Sequence, residues 1–495
     1  MFLYKHILLW SIYHTAVYGT GQLLRALSSL LLLPLYTHYL LPADYGLVEL
    51  LSSIIELASL LMGLRVGAAI FKFHADARTV EDKRRVLSTA LSLLLIANII
   101  GAALIQVFSA TLAHWLAGPA GFDTALRLFS LTLVVSAFNE TFFACLRIED
   151  RSLAYVASSA AKFFLQLVLN IVLIGGFGLG YWGIIWASLI SSVLLALGFA
   201  IWLLPAVGFG IDRDRAASFV RFSLPIMVSS LGMYYISFGN RFFLKAYDSF
   251  EALGVYALAY KFGLTFSNLF WSPFAMFWAA RQYEYASEPG SGEFFGKVFL
   301  YANLVLLPAA VGVIVLTPPF LHLVSKPAYW GAIELVPWVV GASLLLCWAD
   351  FFRIGMLRAA RTEYIAYGTA GTALLITILF VLWIPRHGPL GVAWATFVAF
   401  AFRFVYTLAV GQRFFLVKVP WPKLVLAVIY FATVCVALLL LPLADASALA
   451  VRAALLGLAS AAVLVTPLVD RAHRIAIHAW VRELAVSWYS GRQRS

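Results

Sequence analysis

Apolar runs of about 20 residues or more follow one another from end to end of this 495-residue chain, and no other feature narrows its fold so far. A run of that length spans the hydrocarbon of a bilayer as a helix. Backbone groups in lipid must be satisfied within the spanning structure, so only helices or a closed barrel remain. The runs are rich in Leu, Ala, Val and Phe without strict alternation, which excludes the barrel. Composition agrees: 63% of residues are hydrophobic, 12% are charged and the mean hydropathy is +0.92, against roughly half and a quarter in soluble domains. The first run is too long for a cleavable signal peptide and lacks a small-residue cleavage site, so it reads as a retained span. Cys145, Cys347 and Cys435 all lie inside apolar runs. An odd number so spread is neither a disulfide framework nor a metal site, and the three read as buried small hydrophobes.

Fourteen spans are expected, near 8–36, 45–72, 86–116, 124–146, 153–176, 180–204, 218–243, 250–277, 294–317, 332–357, 364–384, 388–411, 424–442 and 449–468. Of the 35 Lys and Arg, 23 fall beside even-numbered spans and at the termini, 3 (Lys245, Lys326 and Arg386) follow odd-numbered spans, and 9 lie within spans. The bias puts both termini in the cytoplasm of a multi-pass inner-membrane protein, and it accounts for most of the net charge of +12 without a nucleic-acid partner. Internal similarity adds a second constraint. "GIIWAS" (183–188) matches "GVAWAT" (391–396), and "DYGLVEL" (44–50) matches "ALGVYAL" (252–258), both at an offset of 208. "LRIEDRSLAY" (146–155) and "LRAARTEYIAY" (357–367) align at nearly the same shift. The reading is an all-α membrane protein of two six-helix lobes, 1–210 and 211–415, in a parallel repeat about a central cavity. An extra pair of spans (416–470) and a basic amphipathic tail (471–495) follow. In the tail Ile477, Val481, Leu484 and Trp488 share one face, as in a helix lying on the membrane surface. Two like bundles facing across a cavity is a transporter arrangement.

Polar residues inside the spans fall on stripes at helical spacing. Span 1 carries Thr15, Tyr18, Gln22 and Arg25; span 2 Glu49, Ser52, Glu56 and Ser59; span 7 Ser230, Tyr234, Ser237 and Arg241; span 8 Lys261, Thr265, Asn268 and Ser272; span 10 Ser343, Cys347, Asp350 and Arg353. Such a face in a membrane helix turns away from lipid. Nine basic residues lie within spans against the four acids Glu49, Glu56, Glu140 and Asp350, so the interior is cationic and suits an anionic cargo such as a pyrophosphate or an acidic sugar. Arg127, Arg241 and Arg452 sit near span ends, where a long side chain can snorkel. Arg65 and Arg353 lie in the cytoplasmic third. Arg25, Lys162, Lys261 and Arg403 are nearer mid-span, and with Arg353, Gln22 and Asn268 they are the candidate cargo contacts. Glu56, Asp350 and Glu140 are the candidates for coupling to a proton or sodium gradient; no other cofactor is expected. Asp350 and Arg353 at i,i+3 could instead neutralise each other, and Glu49, beside the hairpin, could cap or pair locally. Pro42 is expected to end span 1 and Asp44 to cap span 2.

The hairpin "LPLYTHYLLPADYGLVELLSSI" (33–54) and the segment "FGNRFFLKAYDSFEALGVYALAYKFG" (238–263) resemble the first and the span 7–8 hairpins of the Wzx-type polysaccharide flippases of the multidrug/oligosaccharidyl-lipid/polysaccharide exporter superfamily. The resemblance covers roughly residues 1–415. It implies a monomeric exporter that moves an undecaprenyl-pyrophosphate-linked oligosaccharide, an O-antigen or exopolysaccharide unit, from the cytoplasmic to the periplasmic leaflet by alternating access, driven by a cation gradient and working beside glycan polymerase or synthase proteins. Arg25 and Lys261 match positions where relatives keep basic cavity residues. A glycan polymerase or ligase would carry a large extracytoplasmic loop, whereas the longest outward loop expected here is about 318–331, with His322 and Lys326 alone as candidates, and the sequence holds no nucleotide loop or nucleophile constellation. A drug/cation antiporter of the same superfamily and a membrane subunit of an exopolysaccharide synthase are the competing readings; the first fits poorly with a basic interior.

Overall fold

The computed structural model describes residues 31–63, 66–441, 447–463 and 466. Gln22 and Arg25 of the first span, Arg65 and the amphipathic tail lie outside them. Among the described residues every regular element is a helix. In chain order these are α1 (Leu33–Tyr39), α2 (Pro42–Gly63), α3 (Val66–Asp76), α4 (Val80–Trp115), α5 (Phe122–Ile148), α6 (Ser152–Asn170), α7 (Tyr181–Val207), α8 (Arg213–Tyr247), α9 (Phe250–Phe266), α10 (Ser272–Ala286), α11 (Ser291–Val324), α12 (Ala332–Phe352), α13 (Ile354–Arg358), α14 (Thr362–Phe414), α15 (Trp421–Leu440) and α16 (Ser447–Val463). A π-helical turn, Ile171–Gly176, closes α6, and a second, Ser267–Trp271, joins α9 to α10.

Ten of the described helices are long and apolar enough to cross a membrane. Helix α14 supplies two crossings, since its backbone turns over at Gly388 (φ 52°, ψ −130°) between Pro385 and Pro389. Only glycine adopts that conformation freely. The two arms then run antiparallel, with Gly368 against Tyr406 and Gly371 against Phe402. With the α9–α10 rod and the shorter α16, the described helices account for spans 2 to 14 of the fourteen expected, while of the first only its end, in α1, falls among the described residues.

Two boundaries differ from expectation. Pro42 opens α2 instead of closing α1, which ends at Tyr39; proline's fixed φ and missing N–H suit a first helical turn. Asp44 accepts from the Leu41 amide at 3.4 Å. Helix α11 does not stop at Pro318-Pro319 but runs to Val324, which shortens the loop expected at 318–331 to 325–331. Pro319 leaves the Val315 carbonyl without its helical donor. The Arg452 guanidinium of α16 replaces that donor at 3.2 Å and also holds the Leu441 carbonyl at the end of α15 at 3.3 Å. Arg452 is therefore 6% exposed and structural; it does not snorkel.

In the first half α5 packs against α4 and α7, and α6 against α7; in the second α14 packs against α8 and α12, and α9 against α12. Helices α15 and α16 lie on α11 through Leu307, Val311, Phe431 and Leu456. The halves meet where α2 crosses α9. A methyl added at Gly46 would lie 2.0 Å from the Phe250 carbonyl oxygen, and one added at Gly254 would lie 1.9 Å from that of Pro42. The contact is reciprocal, because 42 and 250, like 46 and 254, are related by the repeat offset of 208. Lipid offers no hydrophobic drive between helices, so close backbone approach through glycine is how such a crossing is stabilised. Around it Leu50, Leu51, Leu253 and Tyr256 are fully buried.

This crossing sits at the end of the bundle that bears the 40–41, 248–249 and 325–331 turns. The halves are tied there again: the Lys326 amide donates to the Thr37 carbonyl at 3.3 Å, and Thr37 Oγ1 to the Val324 carbonyl at 3.2 Å. At the opposite end, where the basic turns lie, α8 packs back on the first half. Asp212 caps α8, Arg215 bridges Asp212 (3.1 Å) and Asp82 (2.9 Å), and Phe73 lies on Phe219.

Candidate functional site

Just below the glycine crossing, three charges from three helices converge between the halves. Glu49 lies one turn beyond Gly46 on α2, so the crossing that fixes α2 also fixes its carboxylate. Arg241 of α8 reaches it, Nη2 to Oε2, at 3.2 Å. The arginine is 2% exposed; Nη1 donates to Asn240 Oδ1 at 3.0 Å, and the guanidinium lies 4.7 Å from the Phe238 ring centre and 5.1 Å from that of Tyr260. Asn240 in turn donates to Tyr256 Oη at 3.2 Å. Lys261, one turn of α9 beyond Ala257, donates to Tyr45 Oη at 3.3 Å and lies over the rings of Tyr36 and Tyr45. Among the described residues it forms no ion pair. The group thus carries two cations and one carboxylate, with tyrosine rings standing where water or lipid would otherwise solvate the charge. Below it Tyr234 Oη donates to the Ser53 carbonyl at 2.5 Å, and Glu56, nearly two turns beyond Glu49, is exposed within electrostatic reach of Tyr234 and Tyr260.

A second cluster lies within the C-terminal half. A cavity of about 290 Å³ is lined by Ser267 and Trp271 of the π-helical turn, Cys347 and Asp350 of α12, Arg353 at the end of α12, and Arg403 and Tyr406 of α14, among others. Asp350 pairs with Arg353 at 2.8 Å, as the i,i+3 spacing allows, and accepts from the Trp271 indole at 3.2 Å. Among the described residues Arg403 has one hydrogen bond, to Thr369 Oγ1 at 3.4 Å.

The structure therefore divides the expected site residues. Lys261 belongs to the central group; Asp350, Arg353 and Arg403 belong to the cavity. Lys162 is half-buried on α6, Glu140 is exposed on α5, and Asn268 is exposed on the π-helical turn. Glu56, Glu140 and Lys162 each engage a neighbouring group. Sequence reasoning does not find the central ion pair: it puts Glu49 and Arg241 on polar faces turned from lipid, where Glu49 could cap or pair locally and Arg241 can snorkel. The signal was present, since each stands on its helix's polar stripe, but nothing in one sequence says that the stripes of spans 2 and 7 face each other. The ring of Tyr36, Tyr45, Tyr256 and Tyr260 was missed as well, because aromatic residues are ordinary in membrane helices.

A model of the polysaccharide biosynthesis protein family matches residues 37–330. Among solved structures, the lipid II flippase MurJ in its inward closed conformation aligns with a TM-score of 0.72 at 14% identity, over 91% of this chain and 97% of that one. An inward-facing multidrug resistance MATE family transporter of the MOP superfamily aligns with a TM-score of 0.63 at 18% identity, over 81% and 94%. A MOP superfamily transporter from Pyrococcus furiosus, described as having a binding pocket of reverse polarity, aligns with a TM-score of 0.51 at 15% identity, over 81% and 94%. No curated protein matches the sequence significantly.

Proposed function

The chain belongs to the polysaccharide biosynthesis protein family, and from that premise we propose that it carries an undecaprenyl-pyrophosphate-linked oligosaccharide from the cytoplasmic to the periplasmic leaflet by alternating access. The fold is the one shared by the MurJ and MATE structures. The observation that carries the reading is the excess cation between the halves among the described residues: Arg241 and Lys261 with Glu49 as the one carboxylate in the group. A cation held inside a membrane bundle without a carboxylate of its own is costly and points to a pathway or a ligand site. Pyrophosphate supplies the missing negative charge through charge-assisted hydrogen bonds.

The positive-inside bias assigns the basic end to the cytoplasm and the glycine crossing to the periplasmic side. The crossing and the Thr37–Val324 ties close that side. Cargo enters from the cytoplasm, and its pyrophosphate meets Lys261, with Arg25 as a further contact. It competes with Glu49 for Arg241. Loss of the Glu49–Arg241 bridge frees α2 from α8 directly below the crossing, so binding and opening share one set of charges. That gives the cargo the differential affinity for two states that any such transition requires. Glu56, Glu140 and Asp350 are the acids to which we assign coupling to a proton or sodium gradient, each of them through exchange with the group it now engages.

The test is to delete the gene and follow lipid-linked oligosaccharide together with its accessibility from the periplasm. Accumulation of an undecaprenyl-linked glycan confined to the cytoplasmic leaflet, relieved by the intact gene but not by Lys261→Ala, supports the proposal. Normal lipid-linked pools refute it and favour the drug-antiporter or synthase-subunit reading.

A further inference from the structure

We propose that the cavity in the C-terminal half is a second anion site, separate from the central group, which takes a sugar-sized acid: a monosaccharide unit bearing a carboxylate or a phosphate. The proposal rests on the flippase reading and names the class of glycan carried.

Three observations converge. First, the charge does not balance. The charged groups lining the cavity are Asp350, Arg353 and Arg403. Asp350 is committed to Arg353 at 2.8 Å, and among the described residues Arg403 has no carboxylate partner. Arg353 Nε is buried with no acceptor, so the pair itself leaves a donor free. An arginine held inside a helical bundle with an open fork of donors fits a carboxylate or phosphate bidentately. Second, the size leaves room for more than a bare ion. About 290 Å³ stands at the lower end of small-molecule pockets, which begin near ~300 Å³, and suits one sugar ring. The walls offer what a sugar needs besides charge: the rings of Trp271 and Tyr406 for its C–H face, and the hydroxyl of Ser267. Third, the backbone is distorted here. The π-helical turn Ser267–Trp271 places Ser267 and Trp271 on the same cavity wall, and such turns recur at functional sites.

The cavity is open at its surface, for the side chains of Asp350 and Arg353 are 33% and 43% exposed. Its position on α9 also fits a cargo held at two points. Trp271 is ten residues from Lys261, roughly 15 Å at 1.5 Å per residue, the span of a few sugar units between the pyrophosphate and an acidic residue of the glycan.

The experiment uses the full chain, purified in nanodiscs, and calorimetric titration with glucuronate, glucose 6-phosphate, glucose and inorganic phosphate. Binding of glucuronate or glucose 6-phosphate but not glucose is expected, at least tenfold weaker in Arg403→Met, weakened less in Arg403→Lys, which keeps the charge but loses the fork, and unchanged in Lys261→Met. Which of the two acids binds tells whether the recognised group is a carboxylate or a sugar phosphate. A site for inorganic phosphate only, absence of binding by all four, or binding lost in Lys261→Met and kept in Arg403→Met overturns the proposal. A second readout needs no variant. Cys347 lines the cavity whereas Cys145 and Cys435 do not, so the bound acid should slow modification of Cys347 by methyl methanethiosulfonate, followed by mass spectrometry, and leave the other two unchanged; equal rates with and without the acid also overturn it. None of these measurements involves flipping, so a failed export assay and a failed second site are told apart.

Discussion

The Gly46–Gly254 crossing gives the sharpest test of how the periplasmic side closes. In Gly254→Ala the new methyl would stand 1.9 Å from the Pro42 carbonyl oxygen, and in Gly46→Ala 2.0 Å from that of Phe250. Ordinary contact begins at 3.4 Å, so α2 and α9 must part by about 1.5 Å in Gly254→Ala and about 1.4 Å in Gly46→Ala, and both obstacles are backbone that cannot rotate away. Overpacking of this kind costs about 1–3 kcal/mol. Alanine favours a helix over glycine by up to ~1 kcal/mol, so the substitution strengthens each helix while spoiling their contact. The cost falls on the closed state alone and should raise the population open to the periplasm about 5- to 150-fold. Ser53, 2% exposed on α2 below the crossing, serves as the reporter. In a chain whose three native cysteines are replaced, Ser53→Cys is labelled in spheroplasts with a membrane-impermeant maleimide, with and without Gly254→Ala. Gly457→Ala, where an added methyl meets open space, is the control. Faster labelling in Gly254→Ala is expected. A rate equal to that of the control, in protein that elutes as a folded monodisperse peak, would falsify the view that this contact closes the periplasmic side.

Other outcomes follow from the same geometry. Glu49→Ala leaves Arg241 buried without its carboxylate and should destabilise the protein by about 3–5 kcal/mol; the Glu49→Gln, Arg241→Met pair should recover much of that, read as thermal unfolding in detergent. Lys261→Ala removes a cation that has no ion pair among the described residues, so export should be abolished while insertion and unfolding temperature stay near wild type; full export would sink the cationic-site argument. Arg452→Ala orphans the Val315 and Leu441 carbonyls at about 1–3 kcal/mol, and limited proteolysis should cut faster between α15 and α16 with glycan export retained.

Much of the fold was legible in the sequence because the bilayer allows so few solutions. Length and hydropathy set the spans, and the 208-residue offset identified Gly46 and Gly254 as equivalents before their contact was known. Two things were not legible. Proline rules written for isolated helices ended span 9 at Pro318, but an arginine more than 130 residues away supplies the missing donor. Charges could be assigned to helix faces but not to partners, since stripe position says that a residue avoids lipid and not which helix it meets. The pairing of Asp350 with Arg353 was visible as an alternative to their roles as coupling acid and cargo contact, because i,i+3 neighbours need no tertiary knowledge; the pairing of Glu49 with Arg241 needed it.

The repeat explains why the closing contact and the charge group occupy one place. A parallel repeat has a local two-fold axis along the membrane normal, and only residues near that axis can meet their own equivalents. Gly46 and Gly254 do so, which places the axis at their crossing. Whatever lies one turn below on α2 or α9 also lies near the axis, equally placed to sense either half. The sequence fills those positions asymmetrically, with Glu49 on α2 and Ala257 at the equivalent place on α9, while Arg241 comes from α8. A symmetric pair of carboxylates there would repel and would bind a cation. One carboxylate facing Arg241 and Lys261 leaves a single positive charge on the axis, the arrangement that an anion crossing between the halves would need.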